Sequence, residues 1–184
     1  MIQKARTGNG FGGVLRYVLD TSTELGHDGA RIVGSNMGGK TARELGVEFR
    51  GFTELNRKIS EPVYHCSLRL APEERLEDRQ WKQVAQRYLA GMGFEDQPYL
   101  AVMHDKPGGQ HIHIVASRVG ADGRAVNLWQ DRVRSQGVVR ELEREHGLRH
   151  AVEHWRDDGQ QRTSDRWGRA HMQPGREREK ELVR

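Results

Sequence analysis

The stretch AVMHDKPGGQHIHIVASRV, residues 101–119, decides how the chain is read. Its two halves are rich in strand formers and flank DKPGGQ, a run of turn-forming residues, so it predicts a β-hairpin. Successive side chains of a strand face opposite sides, which puts His111 and His113 on one face and Ile112 and Ile114 on the other. His104 ends the first strand, and the turn folds that end back beside His111. Three imidazoles can therefore converge on one sheet face while the isoleucines meet a helix layer. Neutral imidazole is a good ligand for divalent transition metals, and three of them leave positions open for a substrate oxygen. A single H-x-H pair fits hydrogen-bonded polar residues as well as it fits a metal site; His104 across the hairpin tips the balance. The remaining histidines lack such company. His27, His146, His150, His154 and His171 read as surface residues, and His65 as a buried or hydrogen-bonded strand residue.

Working outward, PVYHCSLRL opens with proline and reads as a strand. EERLEDRQWKQVAQRYLAGMG carries Leu76, Trp81, Val84, Ala85, Tyr88 and Leu89 at helical spacing and stops at glycine. Nearer the N-terminus, GFGGVLRYVLD predicts a short helix from Phe11, Val14, Leu15, Val18 and Leu19, and ARIVGSN a short strand. GGKTARELGVEFRGFTELNRKIS predicts a helix with Thr41 as N-cap and Leu45, Phe49, Phe52 and Leu55 on one face. RVRSQGVVRELEREHG gives a final amphipathic helix. Helices and strands are interspersed around a hairpin, which predicts an α/β (α+β) sandwich whose central, mainly antiparallel sheet is flanked by helices. From residue 155 onward charges dominate and aliphatic residues are few. We therefore expect one domain over 1–150 and a charged extension over 151–184, mobile or ordered only by a partner.

Of the 184 residues, 35% are hydrophobic and 30% charged, enough for a real core under a heavily charged surface. The net charge of +4 leans towards a polyanionic partner, although 26 acids accompany 30 bases and many will pair. One cysteine, Cys66, excludes an internal disulfide framework and a four-cysteine zinc site. No apolar run approaches the ~18 residues that span a membrane, and the first residues lack the apolar core of a signal peptide. The expected compartment is the cytoplasm.

The histidine–hydrophobic–histidine strand, preceded by HD and followed by the basic residue of SRV, resembles the relaxases, the mobilisation nucleases of conjugative plasmids and integrative elements. The nearest branch is the one with a single nucleophilic tyrosine near the N-terminus. Its first motif, an apolar helix carrying that tyrosine, is matched by GFGGVLRYVLD, which implies the role for Tyr17. Its second, a strand running towards an acidic residue, is matched by YHCSLRLAPEE; an ungapped match favours Glu74, with Glu73 next. The histidine cluster is the third, and ELEREHGL resembles the helix that usually follows. Arg69 stands where the family commonly has serine, with Ser67 on the same strand face as its substitute. The spacer between His104 and His111 is one residue longer than in some relatives. The resemblance covers about residues 1–150 and implies a relaxase-like palm fold. It also implies a divalent metal on His104, His111 and His113, magnesium or manganese first, with zinc, nickel or cobalt as alternatives. Expected partners are single-stranded DNA at a transfer origin, accessory DNA-binding proteins and a secretion coupling protein. A bacterial protein of this kind can travel with the DNA into a recipient cell.

The chemistry can be argued beside the resemblance. Cutting one DNA strand without losing the bond energy requires a covalent intermediate, which a tyrosine oxygen attacking phosphorus provides. A phenol of pKa ~10 needs a base or a nearby cation to act at neutral pH. A metal on the three histidines would polarise the scissile phosphate. Asp105 or Glu74 is expected to orient a ligand histidine through its second ring nitrogen. For DNA contact the expectation falls on Arg16, Ser67, Arg69 and Arg118, with Trp129 as a base-stacking platform. Lys4, Arg6, Arg31, Lys40, Arg43, Arg124, Arg132 and Arg134 are further scattered cations. Competing readings are a rolling-circle replication or transposase-type nuclease, a metal-dependent hydrolase of small phosphate esters, and a non-catalytic metal-containing DNA-binding accessory protein. The first usually places its tyrosine after the histidines, and Tyr17 lies far upstream.

Overall fold

In the computed structural model, which describes residues 1–20, 30–106 and 108–150, the hairpin lies at the centre of a five-stranded sheet. The elements run β1 (Ile2–Gly8), α1 (Phe11–Leu19), β2 (Arg31–Ser35), α2 (Ala42–Glu54), β3 (Val63–Arg69), α3 (Asp78–Gly91), β4 (Tyr99–Lys106), β5 (Gly109–Ser117) and α4 (Asp131–Glu145). The strand order is β1-β3-β5-β4-β2 and every pairing is antiparallel. The expected α+β sandwich is therefore the observed fold. The charged extension over 151–184, with His154 and His171, and also His27, lie outside the described residues.

Alternation along the strands feeds two separate cores. One face of the sheet carries Tyr64, Cys66, Leu68, Ala101, Met103, Ile112 and Ile114 against Trp81, Val84, Ala85, Tyr88 and Leu89 of α3 and Val139 and Leu142 of α4. The other carries Val63, Leu100, Val102 and Val115 against Phe11, Val14, Leu15 and Val18 of α1 and Leu45 and Phe49 of α2. Phe11 and Phe49 stack with ring centroids 4.1 Å apart, which locks α1 onto α2. Helix α2 begins at the expected cap: the Thr41 hydroxyl accepts from the Glu44 amide, and the Glu44 carboxylate accepts from the Thr41 amide in return. Among the described residues no helix is long and apolar enough to cross a bilayer.

Two features depart from the sequence reading. Residues 2–8 form an edge strand that the sequence reading does not assign. Its alternation sets Ile2, Lys4 and Arg6 on one face and Gln3, Ala5 and Thr7 on the other, so neither face is uniformly apolar and the period-2 signal is lost. The hairpin is also tighter than DKPGGQ suggests. Its ladder continues through Asp105 opposite Gln110 and Lys106 opposite Gly109. Gln110 anchors that end: its Oε1 accepts from the Leu76 amide at 2.9 Å and from the Trp81 indole at 3.2 Å.

Gly109 starts β5 with φ of +104°, a backbone shape that side-chain-bearing residues rarely adopt. A Cβ there would sit 3.2 Å from the Leu70 carbonyl oxygen and 3.3 Å from the Pro72 Cα. Gly109→Ala is expected to cost about 1–3 kcal/mol of stability, read as a lower urea midpoint at unchanged slope. An unchanged midpoint would mean that the turn relaxes without strain.

Candidate active site

Three imidazoles close into a triangle on the face covered by α1 and α2. The His104 and His111 rings lie 5.1 Å apart, His104 and His113 4.8 Å, and His111 and His113 5.0 Å, measured between centroids. Register produces this directly. His104 is opposite His111 across the β4–β5 ladder, and His113 follows two residues on along the same face. All three are buried, and one ligand nitrogen from each lies within 4.8 Å of the others. His104, His111 and His113 thus form a cluster that could hold a metal ion.

Two observations test whether these residues suit a cation. The buried Nδ1 of His111 has no hydrogen-bond partner among the described residues, a costly arrangement unless something else takes up its lone pair or proton. His104 has its Nε2 2.8 Å from the Val18 carbonyl oxygen. A carbonyl only accepts, so Nε2 carries the proton and Nδ1 is left as a lone pair. Both fit the donor set of a metal centre.

Burial, then the Arg69 guanidinium, then His104 and Lys106, push the His111 pKa down to about 3 from its usual 6.5. The ring stays neutral across the physiological range, as a metal ligand requires. This has a consequence for the metal-free protein. Between about pH 6.5 and 3 the unfolded chain takes up a proton at this position that the folded chain refuses, so stability must fall as pH drops through that window. Thermal melts of metal-free protein should show this, and His111→Gln should flatten the slope. Equal slopes in the two proteins would remove His111 as the cause.

Tyr17 stands on α1 with its ring edge-on to His113, centroids 5.6 Å apart. It is half-buried. The chain has four tyrosines, and the other three belong to the opposite core. Tyr64 and Tyr88 hydrogen-bond to each other at 2.9 Å, and burial raises the pKa of both. Tyr99 is buried there too, and its pKa is likewise raised by burial. Cys66, on that face, is pushed up to about 12 by burial, which leaves it an inert thiol.

The structure sorts the remaining residues singled out from the sequence. Ser67 and Arg69 lie on the histidine face, opposite His113 and His111 across the β3–β5 ladder. Lys4 and Arg6 extend that face on β1, opposite Ser67 and His65. Lys4, Arg6 and Arg69 are exposed, so an open cationic strip borders the triangle. Arg16 is exposed on α1 beside Tyr17. Arg118 lies apart from the triangle. It follows the far end of β5, about 16 Å along the strand from His113, and its guanidinium bonds the carbonyls of Glu61 (3.1 Å) and Val126 (3.5 Å). Trp129 is 73% exposed, in the segment that leads into α4.

Neither expected carboxylate reaches a triad histidine. Asp105 faces away from His104 because neighbours in a strand alternate, and it accepts a hydrogen bond from the Gln110 amide at 3.3 Å. Glu74 has one oxygen 3.2 Å from the Ala71 amide and the other 2.6 Å from the Arg149 amide, so it ties a loop to the segment after α4. The groups on the second nitrogens are instead the Val18 carbonyl, for His104, and His65, whose Nε2 lies 3.0 Å from Nδ1 of His113. Alternation in YHCSLRL could have put His65 on the triad face; a backbone carbonyl leaves no mark in a sequence.

A family model described as Relaxase, MobA/VirD2-like, nuclease domain matches residues 17–148. No curated protein matches the chain.

Proposed function

The chain belongs to the relaxase family, on the MobA/VirD2-like nuclease-domain branch, and from that premise we propose that it nicks one DNA strand at a transfer origin by attack of Tyr17 on the scissile phosphate. The membership itself carries DNA binding and a nuclease or transesterase activity; the tyrosine mechanism and the role in conjugative mobilisation are our reading. The observation that supports it most is the ring of Tyr17 standing against His113 while the other tyrosines are buried in the opposite core.

In this mechanism the phenolic oxygen of Tyr17 forms a bond to phosphorus and the bond from phosphorus to the 3′ oxygen breaks. The phenol loses its proton, and the leaving 3′ oxygen ends as a hydroxyl. The 5′ end stays on the protein as a phosphotyrosine, and because the number of phosphodiester bonds is unchanged the 3′ hydroxyl can reverse the step. A divalent cation held by His104, His111 and His113 would supply charge stabilisation to the non-bridging oxygens. The chain's own part is orientation and local charge. The buried triangle excludes water, α1 sets the phenol beside it, and Arg69, Lys4 and Arg6 favour the approach of a polyanion. Arg16, exposed on α1 next to Tyr17 in sequence, and Ser67, on the histidine face, are proposed as DNA contacts, with Trp129 as an outlying stacking platform.

The accompanying biology is proposed on the same footing: a transfer-origin substrate, accessory DNA-binding proteins, a secretion coupling protein and residence in the bacterial cytoplasm before transfer. The test is to trap a covalent adduct between the protein and an origin-like single strand. Cleavage without an adduct would make water the nucleophile and the protein a hydrolase. DNA binding with neither cleavage nor adduct would favour an accessory protein.

A further inference from the structure

We propose that His65 is a positioning residue that fixes the tautomer of His113, so that the Nε2 lone pair of His113 faces the metal. The inference rests on the metal-centre reading of the histidine triangle and concerns a residue outside it.

The argument begins with proton placement. The His65 and His113 rings lie nearly parallel, with centroids 5.2 Å apart, and Nε2 of His65 is 3.0 Å from Nδ1 of His113. Between two neutral imidazoles only one of these nitrogens carries the shared proton. If His113 ligates through Nε2, its Nδ1 must carry it and His65 must accept. Neutral histidine in water favours the opposite form, with the proton on Nε2, so without a partner His113 would rest in the wrong tautomer. His65 supplies the acceptor. Carboxylates usually fill this position beside a ligand histidine, and here both nearby candidates are engaged elsewhere, Asp105 on the opposite face and Glu74 on two backbone amides.

Geometry explains why His65 can do this. It pairs with Val115 across the β3–β5 ladder, one step along the same face from the Ser67–His113 pair, so its ring reaches His113 on the diagonal. It is half-buried, which keeps the ring in place and limits competition from water. His104 is set by a different device, the Val18 carbonyl on its Nε2. The two held ligands therefore present unlike nitrogens, Nδ1 from His104 and Nε2 from His113, and together they define where a cation fits.

The test uses His65→Gln, His65→Asn and His65→Ala in the full chain. Glutamine places its amide oxygen where Nε2 of histidine stood and still accepts; asparagine reaches only to the Nδ1 position and falls short. We expect Mn²⁺ affinity, measured by calorimetry, to fall about 10–100-fold in the asparagine and alanine variants and to stay within a few-fold of wild type in the glutamine variant. A purely structural role would instead make affinity follow the thermal stability of the metal-free proteins. The second measurement needs no metal: nitrogen-15 NMR of metal-free protein labelled at histidine. It should show His113 protonated at Nδ1 in the wild type and glutamine variant, and shifted towards Nε2 protonation in the other two. Wild-type His113 protonated at Nε2 would overturn the proposal, as would equal Mn²⁺ affinity across the series. If wild-type protein binds no Mn²⁺ at all, the metal reading fails, while the tautomer measurement still decides whether His65 directs His113.

Discussion

Tyr17→Phe is expected to abolish the covalent adduct with an origin-like single strand while leaving the affinity for that strand within a few-fold of wild type. The substitution removes one oxygen and keeps the ring that packs edge-on to His113, so neither the helix nor the histidine triangle should move. Loss of a nucleophile costs several orders of magnitude in rate, whereas loss of a DNA contact among many costs little. The comparison isolates chemistry from binding. Adduct formation by the variant would place the nucleophile elsewhere, and the other tyrosines offer poor substitutes. Tyr64 and Tyr88 are buried in the opposite core and hydrogen-bonded to each other. Labelled DNA should carry the adduct on its 5′ side and leave a free 3′ hydroxyl.

The second large effect concerns the metal. His111→Ala combined with His113→Ala should eliminate measurable Mn²⁺ binding, because two of three converging donors are gone. Metal-dependent nicking should vanish with it. The fold should survive. Ile112 and Ile114, which alternate with the substituted positions, still fill the core under α3 and α4, and removing two buried imidazoles also removes their desolvation cost, which offsets part of the cavity cost. Circular dichroism and a cooperative melt would check that. Undiminished Mn²⁺ affinity in a folded double variant would show that the cation sits elsewhere and the triangle is only a polar cluster.

The histidine cluster was legible in the sequence for a simple reason. HIH on a strand forces two imidazoles onto one face, and a hairpin cannot avoid bringing His104 alongside. The start of helix α2 was legible from Thr41, but its apolar face was read too long: Leu55 lies past the helix end and is exposed. What surrounds the histidines was less legible. Asp105 follows His104 in sequence, and the alternation that gathers the histidines is what turns Asp105 away from them. Glu74 matches the family motif in one dimension but lies in a loop held by Ala71 and Arg149. Arg118 is basic and follows the histidine strand, yet it stands past the strand's far end, five residues beyond His113. Strand β1 escaped because an edge strand with a half-polar face has no apolar period to detect. These residues depend on which face a neighbour occupies and which chain segment crosses above, and pattern along the chain is silent on both.

The position of β5 has a consequence for how the molecule is assembled during synthesis. In space β5 lies between β3 and β4, and in the chain it follows all four other strands. As the ribosome delivers the chain, β1 can pair with β3 and, later, β2 with β4, giving two half-sheets with no hydrogen bond between them. Only when β5 arrives and inserts does one sheet exist. At ~5–20 residues per second, roughly 5–20 s separate the appearance of β1 from that of β5. From the arrival of β3, about 40 residues and roughly 2–8 s before β5, its inner edge is an open template for another chain, and that of β4 is open for about the last second. Each half carries charged guards on the described strands: Lys4 and Arg6 on β1, Arg69 on β3, Arg31 on β2 and Lys106 on β4. Joining the halves and completing the histidine triangle are then one event, because the strand that closes the sheet is the strand that carries His111 and His113. A nascent chain cannot complete the histidine triangle before it completes the sheet.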